Sequence, residues 1–484
     1  MKKVNNKYIF LLGLILGLIF SITSVYAIEA YIESSKVSYD NKHTEKDNVQ
    51  DSIDELYERS GIHKEKWVDP ILNGADPVLK APLIPVEIKN DGSVYYANQN
   101  SEWYNYSEKR WAYAVILNDN INHNVGDKID DKDIKGYFVW IPRYQYKVWD
   151  LGKYTTVMAL ENLTDDKATA AAETSLWRVA GKNTRIIDVK FGTADDIPKM
   201  AEPTKTEVYY THPAFTLGNK NLNGIWVGKF ETGGTSEDTM VVKPNVISWR
   251  NQTVKEFFTA GKNFAAELDS HMMKNIEWGV AAYLSHSQYG IGNEVNINNA
   301  KDYMTGYSVA PNISQSVMPS ESGTSDDDTK TQPWNTPIGH LASTTGNITG
   351  IYDMGGGSWE YVSAYRKDTL GSSTFSQDEI NIQVKAGYID EYPSNSEEKL
   401  WNNRILGDAT GEMGPFYNYF EGNGVNYIHS SWYGENVSFI DSTQPWFRRG
   451  GFWDGMSIAG QFTFNKISGG PYAFVSFRLA LATS

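Results

Sequence analysis

The sequence predicts an α+β domain in which short strands and two helices are joined by long loops, behind a hydrophobic N-terminal helix and a short helical stalk. Apolar and polar residues alternate in short runs between residues 84 and 231, as in half-buried strands. Two later stretches, 253–266 and 270–284, repeat apolar side chains at helical spacing. Residues 288–343 are rich in Gly, Asn, Ser and Asp, which predicts a long exposed insertion.

The first 27 residues form a targeting segment. Lys2, Lys3 and Lys7 precede an apolar run of about 17 residues, Ile9 to Val25, at the short end of the length that spans a bilayer. We favour an uncleaved signal anchor, and a signal peptide cleaved after Ala27 stays open. Either outcome exports the remainder. The predicted location is therefore the cell membrane with the bulk facing outward, or the exterior after cleavage.

Residues 28–81 are assigned to a helical stalk and linker. Lys46–Gly61 predicts a short helix whose apolar stripe is Val49, Ile53, Leu56 and Tyr57. A helix of this length needs a packing partner. Two interpretations stay open: the stripe packs on its own chain, or it forms a small coiled coil that joins copies into a homo-oligomer.

The strand predictions begin after the linker. Ile84–Ile88 and Ser93–Ala97 flank an Asp-Gly turn, which is typical of a hairpin. Further strands are predicted at Tyr137–Pro142, Tyr144–Trp149 and Asn223–Glu231. We assign residues 82–204 to N-terminal strands, which could belong to the main domain at 205–484.

Charge and cysteine content exclude several function classes. The net charge is −15, and phosphate binding needs clustered Lys and Arg, so no nucleic-acid partner is expected. The chain has no cysteine, which excludes disulfides, thiolate nucleophiles and zinc-thiolate sites.

Several blocks occur in an order that resembles one known family. Residues 275–283 read NIEWGVAAY, residues 350–360 read GIYDMGGGSWE, and the C-terminal segment contains RGGFW at 449–453 and SFRLAL at 476–481. Over about residues 205–481 these blocks resemble the formylglycine-generating-enzyme (sulfatase-modifying factor) family. The resemblance implies a C-type-lectin-like fold of the formylglycine-generating-enzyme subclass.

The departures from that family argue against its chemistry. Members that oxidise sulfatase cysteines use two cysteines in the final segment, which this chain lacks. Iron-dependent relatives need closely spaced histidines, whereas His212, His271, His286, His340 and His429 are scattered and are expected at the surface. We therefore expect no enzyme and no catalytic residue.

The same departures bear on metals and cofactors. The family's calcium site includes an Asn where this chain has Gly357. Calcium held by backbone carbonyls and Asp residues stays open, but no cofactor or metal ligand is predicted. The Gly355–Gly357 run predicts a tight turn rather than a phosphate cradle.

The final segment resembles the variable proteins of diversity-generating retroelements still more closely. There, framework residues hold a lectin-like face while intervening positions change with the ligand. The resemblance implies ligand-binding residues at the intervening positions Phe452, Asp454, Ile458, Tyr472, Phe474 and Val475. An actively diversified gene and a fixed member of the family both stay open.

The predicted function is non-covalent binding of an extracellular protein or glycan. Two other classes stay open: a structural surface or appendage subunit, and a metal-dependent enzyme of the same fold. Among the large aromatic residues, Trp226, Trp278, Trp359, Trp453 and Phe477 are expected in the core, and Tyr472 and Phe474 at the surface.

Overall fold

The computed structural model describes residues 73–99, 103–118, 124–147, 186–195, 209–299, 303–309, 331–396, 405–410, 435–455 and 458–483. These residues belong to one compact unit, Val68–Ser484. The targeting segment, the helix expected at Lys46–Gly61 and His429 lie outside the described residues, so the predictions for them stay predictions. Among the residues that are described, no helix combines the length and apolar character of a membrane span.

The described residues contain three α-helices: α1 (Val254–Asn263), α2 (Asn275–Ser285) and α3 (Gln377–Ala386). A capping box starts α1, where the Thr253 hydroxyl accepts from the Glu256 amide and the Glu256 carboxylate accepts from the Thr253 amide. The helix predicted at 253–266 is thereby confirmed over its first turns. Short 3₁₀ helices occur at Tyr106–Glu108, Asp131–Asp133, Pro213–Phe215, Glu237–Thr239, Ala266–Leu268 and Gly339–Ala342.

Helix α2 differs from its prediction in its start. The helix was predicted from residue 270, but Ser270–Met272 pairs as a strand with Leu479–Leu481, so the helix begins at Asn275. Every residue of α2 is buried. It lies in the core because it is apolar on nearly all sides.

In chain order the strands are β1 (Ile84–Ile88), β2 (Val94–Tyr96), β3 (Tyr113–Leu117), β4 (Lys128–Ile129), β5 (Ile134–Pro142), β6 (Tyr144–Lys147), β7 (Asp188–Phe191), β8 (Tyr210–Thr211), β9 (Thr216–Leu217), β10 (Lys220–Asn221), β11 (Gly224–Gly228), β12 (Ser270–Met272), β13 (Tyr307–Val309), β14 (Thr331–Pro333), β15 (Trp359–Arg366), β16 (Asp390–Tyr392), β17 (Trp446–Arg449), β18 (Phe464–Ile467), β19 (Val475–Phe477) and β20 (Leu479–Leu481). The five predicted strands correspond to β1, β2, β5, β6 and β11, with ends shifted by a few residues. Mixed α+β structure, mostly sheet, is therefore confirmed.

The largest sheet has eight antiparallel strands in the order β12-β20-β11-β5-β3-β1-β2-β4. It joins strands from both sides of residue 204, because β5 pairs with β11, and β11 pairs in turn with the C-terminal strand β20. Trp226 pairs with Trp140 across β11 and β5, with ring centroids 5.2 Å apart. Gly224 allows this packing, because a Cβ there would lie 2.4 Å from an atom of the Trp140 ring.

A second sheet contains β16, β15, β17 and β18 in that order, and β19 also pairs with β15. Strands β17 and β19 both pair with the first residues of β15, so they occupy opposite edges of that strand. A three-stranded sheet, β7-β6-β8, and two short pairs, β9 with β10 and β13 with β14, complete the described sheets.

The exposed insertion predicted over residues 288–343 is wrong for its described parts. Val295, Ile297 and Asn298 are buried, and Trp334 is nearly so. The Asn298 amide nitrogen donates to Asp353 Oδ1 at 2.8 Å. Polar loop composition does not reveal such contacts, because buried loop residues satisfy their polar groups through distant partners.

Candidate ligand-binding site

The C-terminal segment folds back along β15. Arg448 of β17 pairs with Tyr361, and Val475 of β19 pairs in parallel with Trp359. The chain that leaves β17 and the chain that enters β19 therefore meet at the N-terminal end of β15. The Trp359 amide donates to the Phe474 carbonyl at 3.0 Å and fixes this meeting point.

Three of the six predicted ligand-binding residues come together there. Phe474 lies with its ring centroid 6.3 Å from that of Phe452 and 5.4 Å from that of Tyr472. All three side chains are partly buried against the core and partly accessible. Phe452 also stacks on the buried Trp359, with centroids 6.4 Å apart and ring planes at 21°. The core therefore holds these rings in a fixed arrangement.

Trp453 and Tyr303 extend the cluster, and the sequence analysis missed both. Trp453 was expected in the core, but it is partly exposed, and its ring lies 5.4 Å from that of Tyr303. The Trp453 amide donates to the Gly357 carbonyl at 2.7 Å, which turns the chain outward from the sheet. We define the aromatic face as Tyr303, Phe452, Trp453, Tyr472 and Phe474.

The other three predicted residues occupy different environments. Asp454 is exposed in the turn that follows Phe452, where the Gly455 amide donates to the Phe452 carbonyl. Ile458 is 45% exposed and lies on the next turn, where its carbonyl accepts from the Asn436 amide. Val475 is fully buried in β19. Its side chain cannot reach a ligand at the surface, so we remove it from the candidate site.

Two arginines border the aromatic face. The guanidinium carbon of Arg448 lies 4.3 Å from the Trp359 ring centroid and 5.4 Å from that of Phe474. The guanidinium carbon of Arg250 lies 4.0 Å from the Tyr303 ring centroid, and its Nη1 donates to the Ala473 carbonyl at 3.0 Å. Stacked cations of this kind are attracted to the faces of aromatic rings.

Two fully buried arginines support the face from below. Arg449 donates to the Asn275 side-chain oxygen and to the Asp408 and Ala409 carbonyls, at 3.1 to 3.2 Å. Arg478 donates to both carboxylate oxygens of Glu360. Both guanidinium groups are thereby hydrogen-bonded within the core.

A group of buried carboxylates surrounds this framework. The Ser358 amide donates to Glu231 Oε1 at 2.8 Å, and the Ser248 hydroxyl contacts Oε2. Burial, then the negative charges of Glu360 and Asp353, raise the pKa of Glu231 well above its usual range. Burial also raises the pKa of Asp353 to about 7. Burial therefore favours the protonated form of Glu231.

Gly357 fits tightly against this group. Its φ is +67°, and a Cβ there would lie 2.1 Å from Glu231 Oε1. Gly356 also has a positive φ, of +83°, so the predicted glycine turn is confirmed. A side chain at position 357 would therefore require the Glu231 carboxylate to shift.

The expected surface position of the histidines is wrong for the four that are described. His212, His271, His286 and His340 are all buried. Burial lowers the pKa of His212 to about 3 and that of His286 to about 4, so both are neutral at pH 7. In the described part of the chain, no three His, Asp or Glu side chains lie together in a metal-binding arrangement.

Comparison with known proteins adds no assignment to this geometry. The sequence matches no protein-family model and no curated protein.

Proposed function

We propose that this chain is an exported, membrane-anchored surface protein whose aromatic face binds a protein or glycan ligand without converting it. The domain would be a C-type-lectin-like fold of the formylglycine-generating-enzyme subclass, in keeping with the resemblance of its sequence blocks. The mixed α+β architecture agrees with that proposal at the coarser level.

The observation that carries the proposal is the aromatic face itself. Five partly exposed aromatic side chains from three chain segments meet on one surface and rest on buried framework residues. Aromatic residues supply large contact areas at little cost in rotamer entropy, and binding hot spots are enriched in Trp, Tyr and Arg. A rigid face of this composition favours recognition.

The composition of the face also favours binding over catalysis. Acid-base chemistry needs a positioned group whose pKa suits proton transfer. Among the described residues, the charged side chains that the structure places on or beside the face are Arg250, Arg448 and Asp454, and the described histidines are buried elsewhere. None of these arginines can act as a base at neutral pH.

The test uses the full-length protein in detergent, with arrays of glycans and a display library of random peptides as probes. Phe452, Asp454, Tyr472 and Phe474 are replaced together by Ala. A matched control replaces Val125 and Ile382, which are 60% and 63% exposed elsewhere on the surface. We expect probes that bind the parent and the control but not the face variant. Equal binding to all three folded proteins would contradict the site.

A further inference from the structure

Arg448 differs from Arg449 and Arg478 in its environment. Its guanidinium is held against the ring of Trp359 and beside that of Phe474, and the side chain remains partly accessible. Arg449 and Arg478, in contrast, are fully buried and hydrogen-bonded to carbonyl or carboxylate oxygens. Stacking fixes the plane of the Arg448 guanidinium and leaves its edge for a further partner.

No acidic side chain of the described residues pairs with Arg448. Its Nε is buried and has no hydrogen-bond acceptor within the described part of the structure. The titratable groups that interact with its charge are the hydroxyls of Tyr361 and Tyr472. An arginine has five N–H donors, so the accessible part of this guanidinium offers donors other than the buried Nε to a ligand.

The charge of Arg448 persists at physiological pH. Burial lowers its pKa to about 10, which leaves the guanidinium protonated at pH 7. Arg250 lies on the other side of the face, and Asp454 is the carboxylate nearby in sequence. The described side chains of the face therefore carry a positive balance, in a chain whose net charge is −15. This balance favours an anionic partner.

We propose that Arg448 binds a carboxylate of a protein partner, so that the aromatic face takes a peptide segment in which Asp or Glu adjoins an apolar side chain. The inference rests on the proposed function and names the ligand class for the same face. A guanidinium held in one plane matches the two oxygens of a carboxylate, and less freedom is lost on binding because stacking already orients it.

The surroundings of Arg448 favour a peptide over a glycan. Sugar hydroxyls need donors and acceptors spread over the surface, whereas most of the described face consists of aromatic rings and two guanidinium groups, with polar atoms at the Tyr303 and Tyr472 hydroxyls and at Asp454. Apolar side chains of a peptide would instead cover the rings of Phe452, Trp453 and Phe474. Protein interfaces commonly combine a buried apolar area with a charged residue such as Arg beside it.

The experiment selects random peptides of about twelve residues, a length sufficient to cover a face of this kind, on the full-length protein. Dissociation constants of the selected peptides are then measured for the parent, Arg448→Gln, Arg448→Lys, Phe452→Ala and Arg110→Gln. Arg110 pairs with Glu108 outside the face, so its variant removes the same charge elsewhere. Thermal unfolding of each variant confirms that it folds.

We expect the selected peptides to be enriched in Asp or Glu. Arg448→Gln should weaken binding by on the order of tenfold or more, since it leaves the peptide carboxylate unpaired. Arg448→Lys should recover part of the loss, because Lys restores the charge without the planar fork. Changing the peptide's acid to its amide should weaken binding to the parent but not to Arg448→Gln. Arg110→Gln should change nothing.

Other outcomes overturn the inference in distinguishable ways. One such outcome is a set of peptides that lack acidic residues, bind Arg448→Gln as tightly as the parent and bind Phe452→Ala more weakly. That result would contradict the carboxylate assignment and leave the proposed function standing. Binding restricted to sialylated or sulfated glycans, and lost in Arg448→Gln, would contradict the choice of a protein partner. Peptides and glycans whose binding ignores both substitutions would contradict the proposed function as well.

Discussion

Arg478 and Glu360 form a bidentate ion pair in the core, in which Arg478 Nε donates to Glu360 Oε2 at 2.9 Å and Nη2 donates to Oε1 at 2.6 Å. Both side chains are 1% exposed. Arg478 Nη1 also donates to the Gly228 carbonyl at 2.8 Å. The pair therefore joins the C-terminal chain to β15, and the third bond joins it to β11 of the large sheet.

Breaking this pair from one side should be costly. Arg478→Met leaves the Glu360 carboxylate buried without its partner, and loss of one member of a buried pair costs about 3–5 kcal/mol of the free energy of unfolding. Denaturant unfolding of Arg478→Met, Glu360→Gln and the double variant tests this. The double variant should lose less unfolding free energy than the two single variants lose together. Strict additivity would show that the two groups do not interact.

Glu231 should make the stability of the domain depend on pH. Its pKa is raised in the folded state by burial and by neighbouring carboxylates, so the folded state holds a proton that the unfolded state releases. The resulting stabilisation is fully present below the usual glutamate pKa of about 4.3 and is lost as pH rises towards the raised pKa. Glu231→Gln mimics the protonated form and should therefore stabilise the protein more at pH 8 than at pH 5.

Thermal unfolding at several pH values measures this difference. His212 and His286 have lowered pKa values and act in the opposite direction below about pH 6.5, but they are present in both proteins and cancel. Glu267→Gln, at an exposed position, is the matched control. If Glu231→Gln changes the unfolding temperature by the same amount at pH 5 and at pH 8, the raised pKa of Glu231 is contradicted.

Gly357→Ala should destabilise the domain more than the same change at Gly126. Both glycines have positive φ, +67° and +90°, and a backbone of that kind costs an L-residue about 1–3 kcal/mol. At Gly126 a new Cβ meets nothing within 4 Å, whereas at Gly357 it would overlap Glu231 Oε1. Unfolding in denaturant compares the two variants. Equal losses of unfolding free energy in the two variants would show that the Glu231 carboxylate moves away from the new Cβ at no energetic cost.

Val475 and Ile458 should respond differently to truncation. Val475→Ala removes buried atoms from β19 and should cost about 1–3 kcal/mol of unfolding free energy without a direct effect on binding. Ile458→Ala changes a side chain that is 45% exposed and should alter stability by less than about 0.5 kcal/mol. A neutral Val475→Ala variant would place that residue at the surface after all.

Helices and strands could be predicted from the sequence where the spacing of apolar residues or a turn motif determines them. Ile84–Ile88 and the following strand flank an Asp-Gly turn, and α1 starts at a Thr-Glu capping box. Helix α2 began later than predicted because its first residues pair with β20, a partner distant in sequence. Such long-range pairing overrides local propensity.

The candidate site was predictable only in part. Phe452, Tyr472 and Phe474 follow from the motif that surrounds them, and the structure brings their rings together. Tyr303 comes from a segment that reads as a polar loop, so nothing local points to it. The two consecutive arginines at 448 and 449 are visible in the sequence. Only the structure shows that Arg448 is accessible at the face and that Arg449 is buried.

Hydroxyl-radical footprinting of the full-length protein, with and without a peptide or glycan selected on it, tests most directly whether the aromatic face binds the ligand. Oxidation is measured at Phe452, Trp453, Tyr472 and Phe474, with the exposed Ile382 as internal reference. We predict that the bound probe protects the four aromatic side chains and leaves Ile382 unchanged. A probe that binds while the oxidation of all four stays the same would contradict the account.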